Sequence, residues 1–294
     1  KNEQATRAEY ARIREQFARG RETKARATLQ AARANRFQPQ DAALPPRPAF
    51  LGVRAFGEWD LRDLAEHIDW TPFFASWELI GRFPQILEDE IVGEAARDLY
   101  RDARAMLDRI VAEKWFTAKG VVGFWPANAR GDDIVVWADD GRTTELARLH
   151  GLRQQMDKAN GRPNLCLSDF VAEEGDDWIG GFAVTAGHGE RERAEAFRAA
   201  GDDYSAILTT ALADRLAEAF AERLHKEVRT QLWGYAPDEA TTVEDLIAET
   251  YRGIRPAPGY PAQPDHTEKS TLFRLLQTEA NAGIELTEGF AMTP

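Results

Sequence analysis

Three groups of residues in this chain have the types and spacing to do chemistry. Asp69 sits between Ile68 and Trp70, close to Phe73, Phe74 and Trp77. An acid amid so much aromatic surface is either a helix cap or a contact for a cationic ligand. Asp214, Glu218 and Glu222 recur every fourth residue in a run expected to be helical, so like charges stack on one face at a cost of a few tenths of a kcal/mol per pair. Either Arg215, Arg223 and Lys226 turn that row into a solvated, salt-bridged face, or one of the acids meets a cation. The third group is the stretch 252–266, with four prolines and two glycines around Arg255 and Tyr260. A long segment without regular structure inside a compact domain is uncommon and often functional. Its prolines stiffen it and its glycines allow close approach to its backbone, so it is either a connector rigid for packing or a cradle for a planar, polar ligand.

Other chemistries find little support. There is no Gly-x-Gly-x-x-Gly, Walker loop, His-Glu-x-x-His or Gly-x-Ser-x-Gly. The five histidines (His67, His150, His188, His225, His266) are scattered, so no metal site is expected. The single cysteine, Cys166, excludes an intrachain disulfide and a thiolate-rich zinc site, and its apolar neighbours suggest a small buried hydrophobe. A reducing, cytoplasmic setting fits. No apolar run approaches the roughly 20 residues that span a bilayer. The start lacks both a signal-peptide core and an initiator Met, which suggests a piece of something larger. The net charge is −12, which argues against a nucleic-acid binder. Residues 1–36 carry ten basic and four acidic side chains, a net of +6, which leaves −18 on the remaining 258. A basic lead therefore precedes an acidic body.

Periodicity and breakers supply the frame. Residues 1–36 read as one exposed helix with a thin stripe of Tyr10, Ile13 and Phe17. The Pro-rich loop 38–48 then sets a boundary near residue 45. Short helices are expected at 60–67 and 69–78, the second with Pro72 in its first turn and Asp69 or Thr71 as its cap. A third covers 90–115, with Ile91, Ala95, Leu99, Ala103, Met106, Leu107, Ile110 and Val111 inward. Two hairpins follow, 120–125 with 133–137 and 165–172 with 178–185. From Tyr204 to Leu232 an apolar residue recurs every four positions, a stripe that drifts about 40° per step on a 3.6-residue helix. Such a helix wraps its apolar face and belongs at the centre. Asp265 with Glu268 suggests a capping box for a final helix at 267–278, and a strand begins near Ile284–Leu286. Helices flanking antiparallel hairpins make the class α+β.

The three chemical groups also carry a family resemblance. Arg255-Pro-Ala-Pro-Gly-Tyr-Pro261 followed by Pro264-Asp-His-Thr-Glu-Lys269 resembles the signature of the C-terminal activation domain of cobalamin-dependent methionine synthases. His67-Ile-Asp-Trp-Thr-Pro-Phe-Phe74, Asp169-Phe-Val-Ala172, Ala211-Leu-Ala-Asp-Arg-Leu-Ala-Glu-Ala-Phe220 and Leu286-Thr-Glu-Gly-Phe-Ala-Met292 are similar to the same family and run in its order. The resemblance covers about Pro46 to the end. Residues 1–45, including Ala32-Arg-Ala-Asn-Arg36, resemble the linker leaving the preceding cobalamin-binding module.

The resemblance implies a single C-shaped α+β domain around a twisted antiparallel sheet, preceded by a linker helix. It implies binding of S-adenosylmethionine, whose methyl group remethylates inactive cob(II)alamin to methylcobalamin with an electron from a flavodoxin-type reductase. Carried over position by position, the ligand contacts are Asp69, Glu218, Arg255 and Tyr260, with loop backbone from Ala257 and Gly259. No catalytic acid or base is implied, because the methyl donor is already activated. Cobalamin belongs to another module, since no Asp-x-His-x-x-Gly motif occurs here, and zinc to an absent homocysteine module. The implied partners are the cobalamin-binding module and the reductase; nucleic acid and membrane are not implied. Two departures stand out. Gln263 replaces the Cys of many members, and the family continues past Met292 through a His-Pro segment and a tyrosine pair that helps close the ligand site, whereas this chain ends at Pro294. That departure sustains an alternative: a docking module that recruits flavodoxin and orients the cobalamin module without competent S-adenosylmethionine binding.

Overall fold

The computed structural model describes residues 2–22, 26–39, 45–158 and 161–294, excluding the side chains of 2–5 and 17–22. The expected helix over 1–36 is instead two: α1 (Asn2–Glu22) and α2 (Leu29–Ala34). Tyr10 and Ile13 on α1 are exposed; the Phe17 side chain lies outside the described residues, as do residues 23–25 of the expected helix and 40–44 of the Pro-rich loop. Thr28 caps α2 by accepting from the Ala31 amide, which is why a new helix starts there. This second helix is not a free linker. Ala32 is fully buried, Arg33 pairs with Asp132 and Arg36 with Glu173, and Phe37 stacks on Phe170 at 5.3 Å.

A curled antiparallel sheet is organised around one long strand. Strand β1 (Gly52–Trp59) pairs with β2 (Thr117–Arg130), whose residues Gly120–Ala129 are all buried. Strands β3 (Asp133–Trp137) and β4 (Glu145–Leu149) extend the sheet from the far half of β2, and β5 (Trp178–His188) borders the near half. The expected 120–125/133–137 hairpin does not form with that pairing: the strand runs on through Pro126, so β3 meets Ala127–Arg130, while 120–125 pair with β1 and β5. Proline is tolerated there because β1 pairing stops at Phe124 and β3 pairing starts at Ala127. The edge toward which its missing N–H would point has no partner strand at that step. The other expected hairpin does not form. Residues 165–172 make a short 3₁₀ turn (Leu167–Phe170), and β5 pairs with β2 instead. The carboxylate of Asp169 accepts from the Cys166 amide and holds both terminal nitrogens of the buried Arg153, so this apolar run is pinned as a turn. Cys166 is buried and free, as its neighbours suggested.

Both faces of the sheet are covered. On one lie α3 (Leu61–Ala65), α4 (Thr71–Ser76), α5 (Gly93–Glu113), α6 (Glu190–Ala199) and α7 (Asp203–Glu227). The inward stripe of α5 uses Ala96 rather than Ala95, and Ile91, ahead of the helix, is 91% exposed. Helix α7 behaves as its periodicity predicts: Leu208, Leu212, Leu216, Phe220 and Leu224 are buried, and the stripe continues through Val228 and Leu232 on a single π turn (Val228–Leu232). Only Tyr204, at its exposed start, falls outside that core. Phe220 lies over Gly120 of β2, where an added Cβ would come within 2.9 Å of the ring, and its centroid is 4.9 Å from that of Trp59.

A short helix, α8 (Val243–Ile247), packs on α7. On the other sheet face, α9 (Glu268–Leu276) and α10 (Thr278–Ala282) bury Leu275, Leu276 and Ala282 against Val121 and Trp125, and the two-residue strands β6 (Glu285–Leu286) and β7 (Met292–Thr293) close the chain. The expected capping box of α9 is absent. Asp265 instead accepts from the Thr267 amide and hydroxyl at 2.9 and 2.7 Å, while Glu268 turns inward and is buried.

Deleting the ring that joins α7 to the sheet should therefore be costly. Phe220→Ala is expected to lower stability by about 3–5 kcal/mol, the range for a buried aromatic cavity. Ile91→Ala should change it by no more than about 0.5 kcal/mol. Urea denaturation of both variants checks the contrast.

Candidate functional site

An open cleft of about 340 Å³ lies where α7, the start of α4 and the Pro/Gly loop meet. Asp69 enters from the segment before α4. Its neighbours Ile68 and Trp70 are 5% exposed, and anchoring both in the core leaves Asp69 facing the cleft. One of its oxygens accepts from the Thr71 amide at 2.9 Å, but the N-cap position of α4 is Trp70, not the expected Asp69 or Thr71. Glu218 and Glu222 enter from α7, one turn apart on one face, with Arg215 beside them; Asp214 does not line the cleft. Arg255 and Tyr260 enter from the loop, the latter 68% exposed, and Glu249 and Ile247 complete that side.

Four of the six expected contacts, Asp69, Glu218, Arg255 and Tyr260, thus converge on one cleft. Ala257 and Gly259 are not among its lining residues. They form the turn that presents Tyr260: the Ala257 carbonyl accepts from the Tyr260 amide at 3.1 Å, and the Gly259 amide donates to the Gln263 carbonyl at 2.8 Å. Gly259 has φ +101, and a Cβ there would run into the His266 ring at 2.2 Å, so the turn needs glycine twice over. Lys269 fixes His266 from behind, donating to its Nδ1 at 3.1 Å and to the Phe290 carbonyl at 2.8 Å.

The cleft is electrostatically lopsided. Asp69, Glu218, Glu222 and Glu249 face Arg215 and Arg255, an excess of two negative charges. Arg255 donates through Nη2 to Oε1 of Glu222, and both side chains are mostly buried. Burial pushes the Glu222 carboxyl above the usual carboxylate range, with the Arg255 charge opposing the rise. Its other oxygen, Oε2, is buried without a partner. Of the row Asp214, Glu218 and Glu222, the last was legible only as one of three equivalent acids. Its spacing from Glu218 was the available signal, since residues four apart share a helix face.

Behind the cleft stands a support that sequence reasoning missed. Arg229, on the π turn, is fully buried, makes two 2.6 Å bonds to Glu239 and lies 3.9 Å over the Tyr251 ring. His225 meets Tyr251 edge-on at 4.9 Å. Tyr251 is thereby held between a guanidinium and an imidazole, four residues before Arg255. Burial, with the Arg229 and Arg255 charges adding, drives the His225 pKa down to about 3. Among the described residues, no group of three or more His, Cys, Asp or Glu is arranged to hold a metal ion, and no helix is long and apolar enough to cross a membrane.

An antiparallel sheet wrapped by helices, with an acidic cleft that also holds two arginines, defines an α+β domain with a cleft of small-molecule size. Comparison with known proteins gives the family. Residues 60–294 match the model for the vitamin B12-dependent methionine synthase activation domain, and the chain belongs to that family. It is also similar, at 52% identity and a TM-score of 0.88, to the MetH reactivation domain, whose crystal structure was solved bound to AdoHcy. That match covers 92% of this chain and 83% of the other.

The neutral His225 gives the domain a specific acid sensitivity. Unfolded, the imidazole titrates near its ordinary 6.5; folded, it resists protonation down to about 3. Its contribution is therefore intact above 6.5 and is lost as pH falls toward 3, at up to about 1.4 kcal/mol per pH unit. His225→Phe, which removes a ring nitrogen that has no partner, should flatten the stability–pH slope over that window. Urea midpoints at pH 7 and pH 5 for both proteins check it.

Proposed function

We propose that this domain binds S-adenosylmethionine in the cleft and supplies its methyl group for reductive remethylation of cob(II)alamin to methylcobalamin, the electron coming from a flavodoxin-type reductase. The observation that carries the reading is the cleft's charge pattern in a chain 52% identical to a domain solved with AdoHcy. S-adenosylmethionine bears a sulfonium, an ammonium and one carboxylate, a net charge of +1, and the cleft offers an acidic excess with arginine available for the carboxylate. Its volume falls at the lower end of the range of about 300–1,000 Å³ for small-molecule sites.

In this reading Arg255 takes the ligand carboxylate through its planar fork. Asp69 and Glu218 take the ammonium and, at longer range, the sulfonium. Tyr260 and the backbone of Ala257 and Gly259 hold the adenine. When the methyl group leaves, the carbon–sulfur bond breaks with its electron pair staying on sulfur, which becomes a neutral thioether. The departing group needs no proton, so the chain contributes position rather than acid or base. Cobalamin sits on a separate module of the enzyme, zinc on a third, and this domain docks the first and the reductase in turn.

Isothermal titration of the chain with S-adenosylmethionine is the test. The wild type should bind, and Arg255→Ala should weaken binding about 10- to 100-fold, as expected for losing charge-assisted hydrogen bonds worth about 1.5–3 kcal/mol. Arg255→Lys, which keeps the charge but not the fork, should fall between. No binding by the wild type overturns the reading; flavodoxin capture by the same protein would then favour a docking module.

A further inference from the structure

Arg255, the cation proposed to receive the ligand carboxylate, already holds a carboxylate. Glu222 reaches it from α7, one turn beyond Glu218, and the two meet inside the cleft at 12% and 17% side-chain exposure. Glu222 is therefore placed where an incoming carboxylate would seek its partner. Its Oε2 is buried with no hydrogen-bond partner, an arrangement that is costly for a carboxylate held permanently. Glu218 and Glu249 add like charge around it and leave Arg255 as the cation bonded to it. Among the described residues Glu222 is the one carboxylate bonded to Arg255, whereas the buried arginines Arg229 and Arg153 are each held by two carboxylate bonds or more.

From this geometry we infer that Glu222 is an internal stand-in for the ligand's carboxylate: it holds Arg255 until an amino-acid-bearing ligand binds and displaces it. The inference rests on the proposed S-adenosylmethionine site and deepens it. Glu222 acts on selectivity. A ligand that offers Arg255 a carboxylate exchanges one charge-assisted pair for another. One without it leaves the Glu222–Arg255 pair in place, gaining nothing at that end and losing nothing either. Adenosine-type ligands with and without the amino-acid part should thus respond differently to a change at Glu222.

The test is titration of the chain and its Glu222→Gln variant with S-adenosylhomocysteine and with 5′-methylthioadenosine, which keeps the nucleoside and thioether but lacks the carboxylate and ammonium. Glutamine has the same shape without the charge, so it competes less well for Arg255. The variant should bind S-adenosylhomocysteine about tenfold more tightly, as expected when a charged acceptor becomes neutral, and methylthioadenosine unchanged. Weaker or unchanged S-adenosylhomocysteine binding overturns the stand-in role, and an equal gain for both ligands overturns it as well. If the wild type binds neither ligand, the ligand-site reading fails, and this inference with it. A thermal melt shows that the variant is folded. Should Gln unfold the domain, Glu222→Asp, which keeps the charge but withdraws it by one methylene, is expected to shift the two ligands in the same unequal way, and a shift common to both again overturns the proposal.

Discussion

A guanidinium with no exposed surface must have a carboxylate beside it, and Arg229 is such a group. Removing one partner from a buried ion pair costs about 3–5 kcal/mol, because the remaining charge is stranded. That penalty governs the path of the chain after α7. The helix widens into a π turn, the chain reverses, and Glu239 returns to meet Arg229 with both oxygens. Thr241 donates to Glu239 and its carbonyl accepts from Lys226, so the returning segment is tied to α7 a second time. Thr242 then caps α8, and Tyr251 comes to rest on the Arg229 guanidinium. By the time the chain reaches Arg255, its position relative to α7 has been set from one buried cation. The other end of the domain is anchored nearby: the Ala49 amide donates to the Leu232 carbonyl and the Trp233 indole to that of Pro46.

Helix α7 serves two opposed purposes, and its apolar stripe explains how. Because residues four apart drift round a 3.6-residue helix, Leu208 through Leu224 wrap the helix and meet different neighbours along its length. The polar strip left between them is narrow, and Glu218 and Glu222 fall on it. Phe220, between those two acids in sequence, points the opposite way and seats on Gly120 of the central strand. Core and cleft are thus fixed by the same few residues: tightening Phe220 into the sheet is what presents the acids to Asp69 and Arg255.

Much of this was legible in the sequence, and the failures have identifiable physics. The central helix followed from its period, and Asp69 from the incongruity of an acid between buried aromatic and aliphatic neighbours. The loop 252–266 followed from its prolines, and the convergence of Asp69, Glu218, Arg255 and Tyr260 from the family motifs. From the residues alone each of these had two readings, because a spacing says which side chains share a face but not what that face meets. Glu222 illustrates the limit. A row of acids with arginines nearby describes a solvated face as well as a cleft, and the partner that decides the matter lies 33 residues away. The 165–172 segment failed for another reason. Its short apolar runs on either side of Ser168-Asp169 suit a strand, yet the buried Arg153 claims the Asp169 carboxylate and fixes a turn. The length of β2 was missed at Pro126, where a breaker sits harmlessly at a gap in the pairing.

Charge shows the same lesson at larger scale. A basic lead and an acidic body suggested two separate objects divided near residue 36. The lead does not stand apart as a block, because Arg33 and Arg36 cross to Asp132 and Glu173, and Asn35 reaches Asn164. These pairs bring Ala32 into the core and make the short second helix part of the packed body. Conversely, the acidity that the proposed site would use is not the total of −12 but the excess of two negative charges confined to one cleft. Exposed acids elsewhere are screened within about 10 Å at ordinary ionic strength. Those in the cleft are partly shielded from solvent and act on whatever enters. In the proposed reading, a cationic sulfonium with one carboxylate would meet an excess of acids there, and Arg255, opposite Glu222, would decide which way round it lies.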